Sequence, residues 1–376
     1  MSHRVVVVGG GIAGASTAFA LARRGVGVTV VADDRAGTAT AASAGIVAPW
    51  TSAVGGAFYE LYAAGAAFYP RVLALLAEAG ITRTDYRRTG ALLVSTDSTK
   101  LREVEQRVEA RVRSAGPVAG DVRRLAGDEV RALFPPLAPE LEGVFVSGGA
   151  RVDGRTLCAA LLAGAMRHGA EVVTGVARLV PRAADAPVVE VGGRRWEADD
   201  VVVAPGAWVN ETLCPLGVRL AVAPQRGQIT LLRLDGVDTS GWPSVHPLSH
   251  HYLVAFDDSR VAVGATRETG SGFDPRVTAG GQRQVLDDAL RIAPGLADAT
   301  VVETRVGLRP LADLEHPIIG RLPGSGGVHV VTGFGAAGLT LGPLVGDAVA
   351  RTILDGSPPA EISPFTPTPD DLVAPP

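Results

Sequence analysis

VVVVGGGIAGASTAFALARRG, residues 5–25, decides the fold, because it admits two incompatible readings. No residue from Val5 to Ala22 is charged, and Arg23 and Arg24 then end the run. One reading is an exported or membrane-spanning helix, with Arg4 before the run and Ala20-Leu21-Ala22 near its end, as in a signal peptide. Four glycines (Gly9, Gly10, Gly11, Gly14) oppose this, each costing such a helix roughly 1 kcal/mol relative to alanine. The arginines after the run and a second apolar stretch, VGVTVVA at 26–32, oppose it too. The other reading fits throughout. Arg4–Val8 is a β-branched run without alternation, the pattern of a strand buried on both faces. Residues 15–24 read as a helix stopped by Gly25, and 26–32 as a second buried strand. Between strand and helix, Gly9 allows a tight turn, Gly11 lets the backbone approach a pyrophosphate, and Gly14 lets helix and strand pack closely. Ile12 and Ala13 complete this turn at the helix N-terminus, whose N–H groups and dipole suit phosphates.

The 376 residues suffice for two domains or one large one, and 47% hydrophobic content suffices for a substantial core. A net charge of −4 without a basic block argues against nucleic acid as a partner. The two cysteines, Cys158 and Cys214, are far apart and form no Cys/His cluster, which argues against a zinc site or a disulfide framework. That usage suits a reducing cytoplasm. No later stretch approaches the apolar length of about 20 residues that a transmembrane helix needs.

Further along, helical spacing covers 56–80 and 99–113, with a strand at 90–97 between them. Residues 153–169 read as an amphipathic helix, followed by the strand EVVTGVARL at 171–179. A hairpin and a buried strand at 201–204 come next. GQITLLRL, HHYLVAF and RVAVGAT, within 226–266, alternate like an antiparallel sheet. A helix at 279–292, the strand VHVVTG at 328–333 and a helix at 343–354 return the chain to αβ order. The expected fold is α/β (α+β overall): a Rossmann-like domain from discontinuous segments, 1–85, 145–222 and 300–376, with an inserted antiparallel β-rich substrate domain, 86–144 and 223–299.

Such a turn is normally followed by an acid at the end of the second strand, for a ribose hydroxyl. Ala32 occupies that position, and Asp33 and Asp34 follow. Asp33 reaches the ribose from one residue later, or both acids belong to a solvated strand end. Two acids disfavour the 2′-phosphate of NADP. The C-terminus repeats strand, Gly333-x-Gly335-x-x-Gly338 and helix, yet the chain then runs into proline instead of another strand. This turn therefore serves the first cofactor, offering helix-terminal N–H groups to the negative charge of a reduced flavin, or is a plain packing turn. That favours FAD over NAD.

Together these pieces resemble the D-amino-acid oxidase superfamily of FAD-dependent oxidoreductases, which includes glycine oxidase, sarcosine oxidase and D-amino-acid dehydrogenases. The likeness spans nearly the whole chain and is weak from about 85 to 140. VVADDRAGTATAASAGIVAPW, residues 30–50, is similar to the family's segment after the second strand. The resemblance implies that Ala32 and Asp33 meet the adenosine part, and that Thr38, Thr40, Ser43, Ala44 and Gly45 line the phosphates and the flavin edge. It likewise implies a backbone contact to adenine near Arg178, and Ala204, Gly206 and Trp208 beside the cofactor. RVGLRPLADLEHPIIGRL at 305–322 and GFGAAGLTLGP at 333–343 resemble the C-terminal signature, with Phe334 in place of a common histidine. Gly335, Ala336, Ala337, Gly338, Leu339 and Thr340 are the implied flavin contacts. The sarcosine oxidase branch anchors flavin through a cysteine near GLRP; none follows Cys214, so FAD is expected to be non-covalent.

Oxidation of an amino acid at Cα needs a hydride acceptor, a cation for the carboxylate and exclusion of water. Arginine suits the carboxylate because its planar fork pairs bidentately. Arg309 sits where the family places that residue; a structural salt bridge is the alternative reading. Tyr252 lies near the family's active-site tyrosine or is an ordinary strand tyrosine. His250 and His251 form a solvated strand end, or one of them faces substrate. Arg226 and Gln228 brace the domain junction, and Trp50 shapes the pocket mouth or sits in the core. The expected function is oxidative deamination of a D-amino acid, glycine or an N-alkyl glycine, with O₂ or a quinone reoxidising the flavin and a homodimer allowed for. A specialised amine oxidase for a larger metabolite, a flavin-binding protein without catalysis, and a nicotinamide dehydrogenase are the competing readings.

Overall fold

The structure, a computed structural model, describes residues 3–182, 186–313 and 316–373. Its first sheet has six strands, in the order Ile318–Arg321, Val328–Thr332, Asp200–Val203, Arg4–Val8, Gly27–Ala32 and Glu171–Thr174. Every neighbouring pair is parallel except the first. The valine runs are buried because both faces are covered. Helices Ile12–Ala22, Gly154–Arg167 and Gly338–Asp355 share a core with Val5 and Val7 on one side. A three-stranded antiparallel sheet (Arg178–Val180, Val188–Val191, Arg194–Trp196) packs Leu179 and Val189 against Val6, Val8 and Val201 on the other. The stretch read as one strand at 171–179 is therefore two, broken at Gly175, whose φ of 150° takes the backbone into glycine territory.

The last helix starts at Gly338, not at residue 343. Pro343 looks like a first-turn proline, but it stands one turn inside. Its missing N–H frees the carbonyl four residues earlier, and the buried Tyr69 hydroxyl donates to that Leu339 carbonyl at 2.6 Å. This helix lies very close to the first one. A Cβ built on Gly346 would stand 2.5 Å from the Ser16 backbone, and one on Gly342 would stand 2.5 Å from the Ile12 side chain.

The second sheet has nine strands and is mainly antiparallel. Val222–Arg233 is its longest internal strand, flanked by Arg260–Gly264 and Thr300–Ala312. Thr300–Ala312 thus belongs to this sheet, although the partition at residue 300 assigned it to the cofactor side. Glu142–Val146 crosses the partition at 145 in the same way. Residues 85–140, where the family resemblance is weak, supply the expected strand and helix as Ala91–Ser95 and Ser98–Ala115, together with Val122–Leu125 and Gly127–Leu133. Ala91–Ser95 pairs in parallel with Ser244–Pro247 and antiparallel with Glu142–Val146, which knits the two insertions into one sheet. Helix Ala279–Ile292 covers it, and Phe134, Val263 and Val285 share the core beneath. Among the described residues no helix is long and apolar enough to cross a membrane.

Replacing Gly346 with valine should force the two helices apart, at about 1–3 kcal/mol for overpacking a filled contact. Urea unfolding is expected to show a lower midpoint at unchanged slope. An unaltered midpoint would contradict the close approach.

Candidate active site

The carboxyl ends of the parallel strands face the antiparallel sheet across a cavity of ≈ 1490 Å³. Val8, Ala32, Ala204 and Thr332 line it from one sheet, and Gly227, Ile229, His246 and Tyr252 from the other. This is the crevice in which open α/β sheets bind their ligands.

One end is walled by the first glycine turn. Gly9 has φ 113°, and a Cβ there would lie 2.2 Å from the Ala204 carbonyl oxygen. A Cβ on Gly10 would lie 2.7 Å from the Cβ of Ala32. Gly14 does not line the cavity; it lets the helix sit on the turn, since its Cβ would meet the Gly9 oxygen at 1.9 Å. Ile12 donates its N–H to the Thr40 hydroxyl at 3.1 Å, and Ser43 donates to the Thr40 carbonyl at 2.8 Å. These bonds fasten the 38–45 loop beside the turn. Ala13, Thr38, Thr40, Ser43, Ala44, Gly45, Arg178, Gly206 and Trp208 all line the cavity. So does Asp33, whose carboxylate pairs with Arg35 at 2.7 Å. Arg35 also pairs with Glu211 at 3.1 Å and lies over the Trp208 ring at 5.0 Å.

The C-terminal turn closes the same cavity through Gly335, Ala336, Ala337, Gly338 and Leu339. Gly335 does not offer its N–H to a ligand, because it donates to the Pro310 carbonyl at 3.0 Å. Gly338 and Leu339, in the first turn of the helix, have N–H groups beyond the reach of helical carbonyls. Thr340 lies behind the wall and donates its hydroxyl to the Ile46 carbonyl at 3.1 Å. Two glycine-walled helix N-termini opening on one cavity suit the diphosphate and isoalloxazine of FAD. Neither cysteine has the setting of a flavin tether: Cys158 lines the cavity but burial pushes its thiol up to about 12, and Cys214 is exposed.

The other end carries the cations. Arg309 lines the cavity and anchors one nitrogen on the Thr266 carbonyl at 3.1 Å. Gly227 makes room for it, since a Cβ there would stand 2.4 Å from the guanidinium. Tyr252 lines the cavity too; burial pushes its hydroxyl up, while the guanidinium charges of Arg309 and Arg267 act against that rise. Arg267 and Arg107 also face this space, and neither was marked by the sequence. Among the described residues none of Arg107, Arg267 and Arg309 has an ion pair, and the only lining carboxylates, Asp33 and Glu211, are both held by Arg35. His250 is exposed, but His251 is buried to 6% and lines the cavity, so the solvated strand end holds only for the first of the pair. Trp50 is in the core at 2% exposure. The side-chain bonds of Arg226 and Gln228 stay within the antiparallel insertion: Arg226 pairs with Glu268 and Asp274, and Gln228 donates to Glu268 at 2.7 Å.

Comparison with known proteins agrees with this geometry. Residues 4–352 match the family model described as FAD-dependent oxidoreductase, DAO. The uncharacterized oxidoreductase YurR of Bacillus subtilis is 43% identical over 96% of this chain and 98% of its own. Glycine oxidase of Pseudomonas aeruginosa is 31% identical over 98% of this chain and 99% of its own. The crystal structure of iminodiacetate oxidase (IdaA) from Chelativorans sp. BNC1 superimposes with a TM-score of 0.93 at 45% identity, over 97% and 99% of the two chains.

Burial lowers both His246 and His251 to about 4, against about 6.5 in an unfolded chain. Between those values the unfolded chain binds protons that the folded chain does not. Their contribution is therefore complete above pH 6.5 and is lost as pH falls towards 4, by at most about 1.4 kcal/mol per pH unit for each histidine. Urea unfolding at pH 7.5 and at pH 5 should show this loss, reduced in a His246→Gln, His251→Gln double variant. Identical pH slopes for variant and parent would contradict it.

Proposed function

Because this chain belongs to the FAD-dependent oxidoreductase family, we propose that it oxidises a glycine-type amino acid, free or N-substituted, at Cα. The imine formed then takes up water and splits into a 2-oxo acid and an amine or ammonia. The observation that carries this reading is Arg309: a half-buried guanidinium without a carboxylate partner among the described residues, one residue from the proline whose carbonyl holds the C-terminal glycine turn. The names of the two related enzymes, glycine oxidase and iminodiacetate oxidase, support the same class of substrate.

FAD, when bound, supplies the two-electron acceptor. The protein's part is to bind, orient and keep water out. Arg309 pairs bidentately with the substrate carboxylate, and the Thr266 carbonyl fixes the direction of its fork. Tyr252, kept neutral by its raised pKa, donates its hydroxyl to the same carboxylate. Neighbouring guanidinium charges disfavour an ammonium and so favour the neutral amine, whose lone pair assists loss of hydride from Cα. The amine proton leaves to solvent, since among the described residues both lining carboxylates, Asp33 and Glu211, are held by Arg35. In this reading, the glycine turn at 9–14, the loop at 38–45 and the turn at 333–338 hold the dinucleotide, and the antiparallel sheet presents the substrate.

Purified protein should be yellow and should lose its flavin absorbance anaerobically on addition of glycine, sarcosine or iminodiacetate. A flavoprotein bleached by none of these, nor by any D-amino acid, would overturn the proposal. Arg309→Met should raise KM for the substrate about 10²-fold or more while FAD stays bound. Loss of FAD from that variant would remove Arg309 from the substrate site.

A further inference from the structure

We propose that Phe273 and Asp274 form a clasp through which the antiparallel insertion retains FAD, by holding Trp208 in place at the cofactor end of the cavity. This rests on the reading that the turn at 9–14 and the loop at 38–45 hold the dinucleotide, and it is independent of what the enzyme oxidises. Both residues belong to the segment 270–278, which joins the short strand Glu268–Thr269 to the helix Ala279–Ile292. Phe273 is 47% exposed, yet its ring stacks on that of Trp208, with centroids 5.6 Å apart and an interplanar angle of 23°.

Trp208 lines the cavity, with the Arg35 guanidinium over its ring. Its buried apolar partners, Ala207 and Leu308, form a small cluster with it, apart from the large cores of the two halves. The Phe273 ring is therefore a large part of what fixes the indole. Pro275 meets the cofactor half at a second point: a Cβ built on Gly37, just before the 38–45 loop, would stand 3.3 Å from the Pro275 side chain. Asp274, between these two forward-reaching residues, is tied back to the insertion. Its carboxylate accepts from the side chains of Arg276 and Arg226, each at 2.9 Å. These bonds, that of Arg276 first, hold its carboxyl well below the usual carboxylate range. Arg226 is buried in the longest internal strand and also pairs with Glu268 at 2.6 Å, so the clasp has a rigid root.

An aromatic pair in this geometry adds an attraction beyond the area it buries. Fixing the wall before the cofactor arrives also removes part of the side-chain ordering that binding would otherwise have to impose. Phe273 acts through Trp208 and is thus a positioning residue. Linkage makes the effect reciprocal: a closed clasp that favours bound FAD must itself be favoured by bound FAD, by the same factor.

The test uses the whole chain, loaded with FAD or freed of it, and reads binding instead of turnover. By the change in FAD fluorescence on binding, Phe273→Ala should raise the Kd for FAD roughly 3- to 10-fold, mainly through faster release. Phe273→Tyr, which keeps the ring, should bind FAD as the parent does. Asp274→Asn should weaken binding in the same direction, and its effect should not add to that of Phe273→Ala, since both open one clasp. Arg276, whose side chain is 81% exposed, offers trypsin a cleavage point inside the segment. FAD should slow cleavage after Arg276 in the parent, and that protection should vanish in Phe273→Ala. Equal affinity and release of FAD in the parent and Phe273→Ala, or cleavage after Arg276 that FAD does not slow, would overturn the proposal. A parent protein that binds no FAD would overturn the cofactor reading and the clasp together. Failure of every amine to bleach a bound flavin would overturn the proposed reaction alone, and these measurements would still decide the clasp.

Discussion

One backbone hydrogen bond, from Gly335 N–H to the Pro310 carbonyl at 3.0 Å, sets the relation between the two halves of the active site. It fastens the turn that begins the last helix to the strand that carries Arg309, and a bridge between Phe334 and Leu311 reinforces it. The last helix in turn packs on the first, with Gly342 and Gly346 against Ile12 and Ser16. Both glycine turns therefore reach the cavity at fixed positions relative to the guanidinium. The chemistry needs that rigidity, because hydride transfer tolerates little displacement between donor carbon and acceptor.

The cavity is electrically divided along its length. At the end built by the first turn, the acids Asp33 and Glu211 are already neutralised by Arg35. At the other end, among the described residues, Arg267 and Arg309 have no carboxylate partner, and burial lowers the pKa of His246 and His251. Keeping a guanidinium charge unpaired in a protein is costly, which is the physical ground for the proposed anion site at this end. The family relationship supplies the flavin; the arginines define what meets it.

Much of the cofactor half was legible in the sequence because its signals are local. A valine run, three glycines at fixed spacing and a helix stop lie within 21 residues, and each has one geometric meaning. The C-terminal turn was legible for the same reason; what no local signal shows is that Gly335 donates its N–H to the Pro310 carbonyl and Thr340 its hydroxyl to the Ile46 carbonyl. Pro343 misled the helix start, because nothing local reveals that Tyr69, more than two hundred residues away, satisfies the carbonyl the proline frees. The substrate half depends on long-range pairing. Arg267 looks like any charged residue after a strand until Glu268 is seen turned towards Arg226. His251 looked solvated beside His250, but it lies buried just before the strand Tyr252–Ala255 while His250, in the preceding bend, stays exposed. The strand at 300–312 pairs across the expected partition with Val222–Arg233, a partner far away in the chain that no local pattern reveals.

If Arg309 holds the substrate carboxylate beside the flavin, a crystal structure of the protein with FAD and methoxyacetate, an unreactive analogue of sarcosine, tests it most directly. It should show the carboxylate on Arg309 and the adjoining carbon beside the isoalloxazine ring. Methoxyacetate bound elsewhere, or Arg309 turned away and paired with a protein carboxylate, would contradict it.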